Sequence, residues 1–328
     1  MRIGRQDLNV IIPAYNEEAN ITTILQTLDQ QSLQGFGVIV VDDGSTDNTA
    51  QLVESYEPTQ FTLQLLRQEN QGAARARENA IRYSDSKYIA VIDSDDSLSD
   101  TSLEKAFAPL SANPSIDISL FKLNYVDSVS KAITGKFICY TADTTLRGED
   151  VFANCVRTWG VHAFGIYNRD VILSAYKMYN SINHQGVNYL NNDEVISRIS
   201  FNLAETVLLS EGDYFFINNA NSTTRRVNHN YYKVLHNSFF LLNYIEKQDN
   251  THRKDSLIND AYALIISTIW GVSTRYFKWF NVLSTSERAE WHSLLKHSVK
   301  RVKQAMKSRH ITVTQKTKLQ LILLGIIF

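Results

Sequence analysis

Ile89-Ala90-Val91-Ile92-Asp93-Ser94-Asp95-Asp96 decides how this chain is read. An apolar run with β-branched residues reads as a buried strand. It ends in three carboxylates within four residues, Asp93, Asp95 and Asp96, with Ser94 between them. Like charges at that density call for a counter-charge. A divalent cation with a phosphorylated ligand, at the carboxyl end of a sheet strand, supplies one. A solvated polar turn is the alternative, because Asp and Ser are ordinary turn residues.

The upstream sequence separates the two. Leu8-Asn9-Val10-Ile11-Ile12-Pro13 reads as a buried strand that stops at proline. Asn16 is placed to cap a helix whose Ile21, Ile24, Leu25 and Leu28 share one face. Val38-Ile39-Val40-Val41 is a second strand, ending in Asp42-Asp43-Gly44-Ser45. A helix around Leu52 and Val53, a strand over Phe61 to Leu66, a polar loop from Gln68 to Gly72 and a helix from Ala73 to Tyr83 follow. Strand and helix alternate over residues 8–96, so an α/β class is expected, with a mostly parallel sheet flanked by helices. In such a sheet the loops after three strands lie on one edge, where ligands bind. That convergence favours the metal and phosphate reading over the plain turn.

Downstream, strands are expected at Ile116 to Tyr125, His162 to Tyr167, Val207 to Leu209 and Tyr214 to Ile217, with a hairpin returning through Phe137 to Tyr140. Helices are expected at Glu149 to Trp159, Asp170 to Tyr179 and Val195 to Ala204. From about residue 228 the character changes to apolar segments of helical length, and Ser284 with Glu287 fits a capping box.

With 328 residues and 44% hydrophobic content, the chain has material for a large core. A net charge of -1 argues against a protein built to bind nucleic acid. Cys139 and Cys155 form neither a ligand pattern nor a disulfide framework, which fits a reducing, cytoplasmic setting. Met1 to Asp7 is polar, with no signal-peptide core, and no apolar run has the length of a membrane span. Residues 296–328 carry eight Lys or Arg and no Asp or Glu, and end in a Leu/Ile-rich run. Peripheral contact with an anionic inner membrane face is one reading of that stretch, and a packed helix with a solvated basic face is the other.

The segments Val10 to Glu18, Val40 to Asp47 and Ile92 to Asp96, in that order and spacing, resemble family 2 glycosyltransferases of the GT-A fold, of the bacterial polysaccharide type. Glu69-Asn70-Gln71-Gly72 through Arg77 is similar to the next motif, and Asn192-Asp193-Glu194 and Asn221 to Arg225 to later ones. Arg75, Glu78 and Ala80 depart from the pattern, as does the region of Phe164 to Ile166. The resemblance implies a nucleotide-sugar-binding half over residues 1–115, an acceptor-binding half over 116–227 and a C-terminal helical extension over 228–328. It also implies a nucleotide-diphosphate sugar, a UDP-sugar first, as donor, a glycan or lipid-linked saccharide as acceptor, and transfer with inversion.

On that resemblance Asp95 is the metal ligand, with Asp93 and Asp96 as the other candidates, and the ion is Mn2+ or Mg2+. Asp43, with Asp42 beside it, receives the base, although one of the pair could instead cap the next helix. Tyr15 stacks on the base and Pro13 shapes its pocket, while Glu17, Arg77 and Ser94 lie near the nucleotide. Asp193 is the general base, with Glu194 as its understudy; capping the following helix is the competing role. Arg225 and Arg226 are candidates to close over the diphosphate. His162, His184 and His229 lack metal-ligand spacing and are read as structural. A sugar nucleotidyltransferase would want a glycine-rich loop after the first strand, and an oxidoreductase G-x-G-x-x-G; neither is present. A non-catalytic nucleotide-sugar-binding module is the remaining alternative.

Overall fold

A computed structural model describes residues 7–183, 189–218, 227–248 and 252–305, together with 317 and 320. In chain order the elements are β1 (Leu8–Ala14), α1 (Ile21–Asp29), β2 (Gly37–Asp42), α2 (Thr49–Glu54), β3 (Thr62–Arg67), α3 (Ala73–Tyr83), β4 (Tyr88–Val91), β5 (Ser97–Leu98) and α4 (Ser102–Ala112). There follow β6 (Ile118–Asp127), β7 (Ile133–Lys136), β8 (Thr145–Arg147), α5 (Gly148–Val156), β9 (Gly165–Asn168), α6 (Arg169–Ile182), α7 (Asn192–Leu203) and β10 (Thr206–Asn218). Beyond these, the α-helices among the described residues are α8 (Val234–Glu246), α9 (Lys254–Trp279) and α10 (Thr285–Ala305).

The strands form one sheet in the order β3-β2-β1-β4-β9-β6-β10-β5, with β7 on β6 and β8 on β10. β3, β2, β1 and β4 run parallel, and β6 runs parallel to β10. β9 is antiparallel to both β4 and β6, so the sheet is mixed. Val10, Ile12, Val38 and Val40 are fully buried, and so are Ile21, Ile24, Leu25 and Leu28 of α1, which cover one face of the sheet. The 3.6-residue spacing of those four α1 residues is what lets one short helix bury all of them.

Several details differ from the sequence reading. β1 does not stop at Pro13 but runs through it to Ala14, pairing Pro13 with Val41. The ladder to β4 ends at the Ile11–Val91 pair, so the missing N–H of Pro13 falls where no acceptor strand remains. Asn16 adopts φ 56° and α1 begins only after Asn20, so Asn16 is a loop residue and not the cap. The strand returning against β6 is Ile133–Lys136, ahead of the expected Phe137 to Tyr140. The two closing strands are one, β10, with a register shift between Leu209 and Asp213. The capping box is present, with Ser284 N donating to Glu287 Oε2 at 2.7 Å and Glu287 N to Ser284 Oγ at 3.3 Å.

By contacts the chain divides into two units. The first comprises Met1–Asn154, Gly160–Met178 and Ile196–Asn219, and holds the whole sheet. The second comprises Cys155–Trp159, Tyr179–Val195 and Ala220–Phe328. Its helices α8, α9 and α10 pack around Leu242, Ile265, Ile266, Trp291 and Leu295, all fully buried. No helix among the described residues is long and apolar enough to cross a membrane. Arg225, Arg226, the Asn221 to Arg225 motif, His184 and the Leu/Ile-rich end fall outside the described residues.

Candidate active site at the carboxyl edge of the sheet

The loops after β1, β2 and β4 meet at one edge of the first unit. Those after β1 and β2 are laced together. Asn16 N donates to Ser45 Oγ (2.9 Å), Thr46 N to Asn16 Oδ1 (2.8 Å), Glu17 N to Thr49 Oγ1 (2.8 Å) and Glu18 N to Asp47 Oδ2 (3.2 Å). Asp47 Oδ1 accepts from Thr49 N, the first residue of α2, whose N-cap position is Asn48. Neither Asp42 nor Asp43 caps that helix: Asp42 Oδ1 accepts Ser45 N at 3.0 Å and closes the turn.

Asp43 organises the third side of the edge. It is 2% exposed and accepts from Gln68 Nε2 (2.7 Å), Gln71 N (2.8 Å) and Gly72 N (2.7 Å). These bonds fix the polar loop ahead of α3. Gly44, at φ 75°, is needed there twice over, since a Cβ would also lie 3.0 Å from Asn70 N. A carboxylate offers about four lone-pair positions, so one on Asp43 Oδ2 stays open. Tyr15 is 48% exposed, an aromatic face open to solvent beside this pocket edge.

The acidic cluster after β4 sorts into distinct roles. Arg77 from α3 forms an ion pair with Asp93 at 2.6 Å; it is not a solvated helical arginine. Asp96 is 5% exposed and uses both oxygens inside the fold, Oδ2 for the Tyr214 hydroxyl (2.7 Å) and Oδ1 for Ile217 N (2.9 Å). That engagement makes Asp96 an anchor for β10 and sets it apart from the other metal candidates. Burial, and then the charge of Asp93, push its pKa up to about 8. Ser94 is buried. Asp95 is partly exposed, and its pKa is raised to about 6 by burial first, then by the charges of Asp93 and Glu17.

A partly exposed Asp95 crowded by the charges of Asp93 and Glu17 fits a divalent cation, whose charge relieves that repulsion. Among the described residues no three Asp, Glu, His or Cys side chains converge closely enough to hold a metal alone. The fit is therefore to an ion bound through one or two carboxylates and completed by phosphate oxygens, as hard cations of the Mg2+ class prefer.

Two departures from the sequence pattern prove to be partners. Glu78, 3% exposed, receives Arg75 at 2.7 Å and Arg82 at 2.8 Å. The larger residue at 75 thus neutralises the acid at 78.

Asp193 and Glu194 stand in the second unit, in the first turn of α7. The helix begins at Asn192, so Asp193 lies within it and is not its cap; its side chain is exposed. The turn before α7 is clamped by a residue that sequence reasoning missed. Asn237 Nδ2 lies 3.0 Å from Leu190 O, Asn191 Oδ1 and Asn192 Oδ1. The Tyr179 hydroxyl sits 2.5 Å from Asn192 Oδ1 and 2.8 Å from Asn237 Oδ1. Asn237 is 1% exposed within an apolar helix, and a buried amide in such a setting is the signal that could have revealed it.

Residues 9–164 match the sequence family described as Glycosyl transferase family 2. An uncharacterised glycosyltransferase, YibD of Escherichia coli, is 36% identical over 97 residues, 30% of this chain and 28% of that protein. The UDP-Glc:alpha-D-GlcNAc-diphosphoundecaprenol beta-1,3-glucosyltransferase WfgD of Escherichia coli is 31% identical over 131 residues, 40% of this chain and 50% of that protein. The chain thus spans less than two thirds of the length of either relative. Among solved structures, residues 1–349 of TarS from S. aureus in complex with UDP-GlcNAc align with a TM-score of 0.64 at 17% identity, covering 90% of this chain and 82% of that one. That likeness is one of fold, a mixed α/β sheet with flanking helices of the GT-A type.

Proposed function

Because residues 9–164 match glycosyl transferase family 2, we propose that this protein is an inverting glycosyltransferase of that family. It moves a sugar from a nucleotide-diphosphate sugar, a UDP-sugar, to a hydroxyl of a glycan or lipid-linked saccharide in cell-surface polysaccharide synthesis. One observation carries the reading: a single sheet edge gathers an exposed aromatic ring, a buried carboxylate with one lone pair to spare and a partly open acidic pair backed by an arginine. Those are the groups needed for a base, a ribose and a diphosphate, in that order along the edge. The UDP-sugar named for WfgD and bound to TarS supports the choice of nucleotide, and the diphosphoundecaprenol acceptor named for WfgD supports a lipid-linked acceptor.

Tyr15 stacks on the uracil and Asp43 Oδ2 accepts its imide N–H, with Pro13 and Asp42 shaping the pocket behind. Asp93, oriented by Arg77, accepts from the ribose. Asp95, flanked by Asp93 and Glu17, would hold Mn2+ or Mg2+; when bound, the ion stabilises charge on the departing diphosphate. Asp193 takes the proton from the acceptor hydroxyl as it attacks the anomeric carbon, and Glu194 stands next to it. One displacement, with the leaving group on the opposite face, inverts the configuration. Arg225 and Arg226 remain candidates for the diphosphate.

The test is a screen of UDP- and GDP-sugars for nucleoside diphosphate release, with and without divalent cations and saccharide acceptors. Acceptor-stimulated, cation-dependent release from a UDP-sugar is the expected result. Tight UDP-sugar binding with no release under any acceptor would favour a non-catalytic module instead.

A further inference from the structure

We propose that the hairpin between β6 and β7, with its return to Tyr140, inserts exposed apolar side chains into a phospholipid bilayer and so holds the carboxyl edge of the sheet at a membrane surface. The inference deepens the transferase reading, and it rests on the lipid-linked acceptor of that reading.

Val129 and Ile138 are each 89% exposed, Ile133 is 54% exposed, and Tyr140 also reaches solvent. All four lie on this one hairpin. Single exposed apolar residues are ordinary, whereas a cluster of them marks a contact surface. From Ser128 to Ala142 the charged residues are Lys131 and Lys136, and the acids Asp127 and Asp143 stand at the two ends. Charge is therefore close to balanced, and the apolar side chains are what set the segment apart.

The exposure is built into the backbone. Asp127 Oδ1 accepts from Val129 N at 3.2 Å and from Ser130 N at 2.7 Å, which closes the tip. Asp127 N donates to Ala132 O at 3.0 Å, and Lys131 N to Asp127 O at 3.0 Å. On the return, Phe137 N donates to Leu123 O at 2.9 Å and Tyr140 N to Gly160 O at 3.0 Å. A surface ordered in advance loses little conformational freedom when it binds.

The topology places this patch beside the candidate active site. β9 is antiparallel to both β4 and β6, so β6 leaves the sheet by the same edge as the acidic loop after β4. A row of neighbours spans the gap. Asp96 Oδ1 accepts Ile217 N at 2.9 Å, Ile217 is paired with Val126 of β6, and Val126 with Ile133 of β7. Ile133 thus stands two strand spacings, about 10 Å, from Ile217. All of these residues belong to the first unit.

A bilayer fits the patch better than a second protein. β7 is only Ile133–Lys136, and a short edge strand with a lysine on it is of the kind that resists pairing. Four side chains expose a few hundred Å2 at most, below the about 800 Å2 per partner of a stable protein interface. Lipid tails need no matching counter-surface. A saccharide carried on a lipid is presented at the bilayer surface, the level at which an inserted hairpin tip would hold this edge.

The experiment is flotation of the full chain with vesicles of phosphatidylcholine and phosphatidylglycerol, at about 0.05 M and about 0.5 M NaCl. Charge-driven attachment, such as the basic stretch from residue 296 would give, is largely screened at the higher salt, whereas apolar insertion is not. The wild type should bind at both. The double variant Val129→Ser with Ile138→Ser should bind at least about tenfold more weakly at the higher salt. Its melting temperature should be unchanged, because both positions are exposed. No binding at the higher salt, or equal binding by the double variant, would overturn the proposal. So would a wild type that is dimeric without lipid beside a monomeric double variant, which would give the patch to a second copy. Nucleoside diphosphate release is measured on the same proteins without vesicles. Release by a chain that binds no vesicles overturns insertion alone. Vesicle binding that the double variant loses, in a chain that releases nothing, supports insertion and counts against the transferase reading alone.

Discussion

The Tyr214 hydroxyl donates to Asp96 Oδ2 at 2.7 Å and accepts from the Asp93 amide at 3.3 Å. Tyr214 is fully buried and stacks on Phe164 with ring centroids 4.4 Å apart. One side chain of β10 therefore fixes the backbone from which the acidic loop projects. Replacing Tyr214 by Phe keeps the ring and removes the bridge. Unfolding in denaturant should show a loss of about 1–3 kcal/mol, the usual consequence of orphaning buried polar groups. Nucleoside diphosphate release should also fall by about tenfold or more, because small displacements of a positioned group are costly. A destabilised variant releasing at the wild-type rate would confine Tyr214 to a structural role.

Asp95 and Asp96 are adjacent and differ in kind. Asp96 has its oxygens occupied within the fold, whereas Asp95 is crowded by Asp93 and Glu17. Asp96→Ala should lower stability by about 1–3 kcal/mol or more through the abandoned Tyr214 and Ile217 donors. Asp95→Asn relieves like-charge repulsion and should leave the melting temperature unchanged or raised. It should abolish the stimulation of donor turnover by Mn2+ or Mg2+. The pair of thermal melts, set beside metal titrations, separates the two; cation stimulation surviving in Asp95→Asn would place the ion elsewhere.

The parallel half of the sheet was legible because its signals are local. β-branched runs, helical spacing and Asp-rich strand ends each lie within a few residues, and their order placed three loops on one edge. What the sequence hides is which partner each polar group finds. Asp43 reads as a base receptor, and nothing nearby says that it also holds Gln68, Gln71 and Gly72. Arg75 and Glu78 look like two separate departures until the helix sets them three apart. Asn237 lies far along the chain from the turn it clamps, and Tyr214 is far from Asp96. β9 could not be given its antiparallel direction from a four-residue apolar run. Pro13 misled because a strand can pass through proline wherever the neighbouring ladder has already ended.

His162 contributes a pH dependence unrelated to the catalytic edge. It is 6% exposed, packs edge-on to Phe137 at 5.3 Å and accepts Phe164 N on Nδ1 at 3.1 Å. Burial pulls its pKa down to about 4 from 6.5, against a backbone hydrogen bond to Phe121 that raises it. Between those values the unfolded chain binds a proton that the folded chain does not, so stability rises with pH across the window. The contribution is complete above about pH 6.5 and is lost as pH falls towards 4, amounting to about 3 kcal/mol. Urea unfolding at several pH values should show one proton's worth of slope in the wild type. His162→Gln should lack that slope, and an unchanged slope would assign the pH dependence to other groups.

The Arg77–Asp93 pair, at 2.6 Å and with side chains 16% and 31% exposed, orients the acid proposed to face the donor. Its net contribution to stability is modest, about 1 kcal/mol, because the cost of taking a largely buried pair out of water offsets much of its attraction. Arg77→Met keeps the aliphatic stem and frees Asp93 to rotate. The KM for the UDP-sugar should rise by about tenfold with kcat moving less, as expected when binding geometry rather than the chemical step is lost. Arg77→Lys should recover only part of it, since a lysine cannot reproduce the planar guanidinium contact. Equal kinetics in all three proteins would remove Arg77 from the site.

Asp193 is the residue on which transfer, as distinct from donor binding, should depend. It is exposed, and it projects from the first turn of α7 next to a turn clamped by Asn237 and Tyr179. The N-terminal turn of a helix accommodates negative charge, and a clamped turn fixes where that charge points. Asp193→Asn preserves size and helix position and removes the proton acceptor. The kcat for transfer to a saccharide acceptor should fall by about 10²–10⁴, the range for losing a general base. UDP affinity, measured by calorimetry, should stay at the wild-type value. Glu194→Gln, one residue along and on a different face of the helix, should change kcat by less than about tenfold. Full transfer by Asp193→Asn would end the assignment, and a large loss in Glu194→Gln alone would move the base to Glu194.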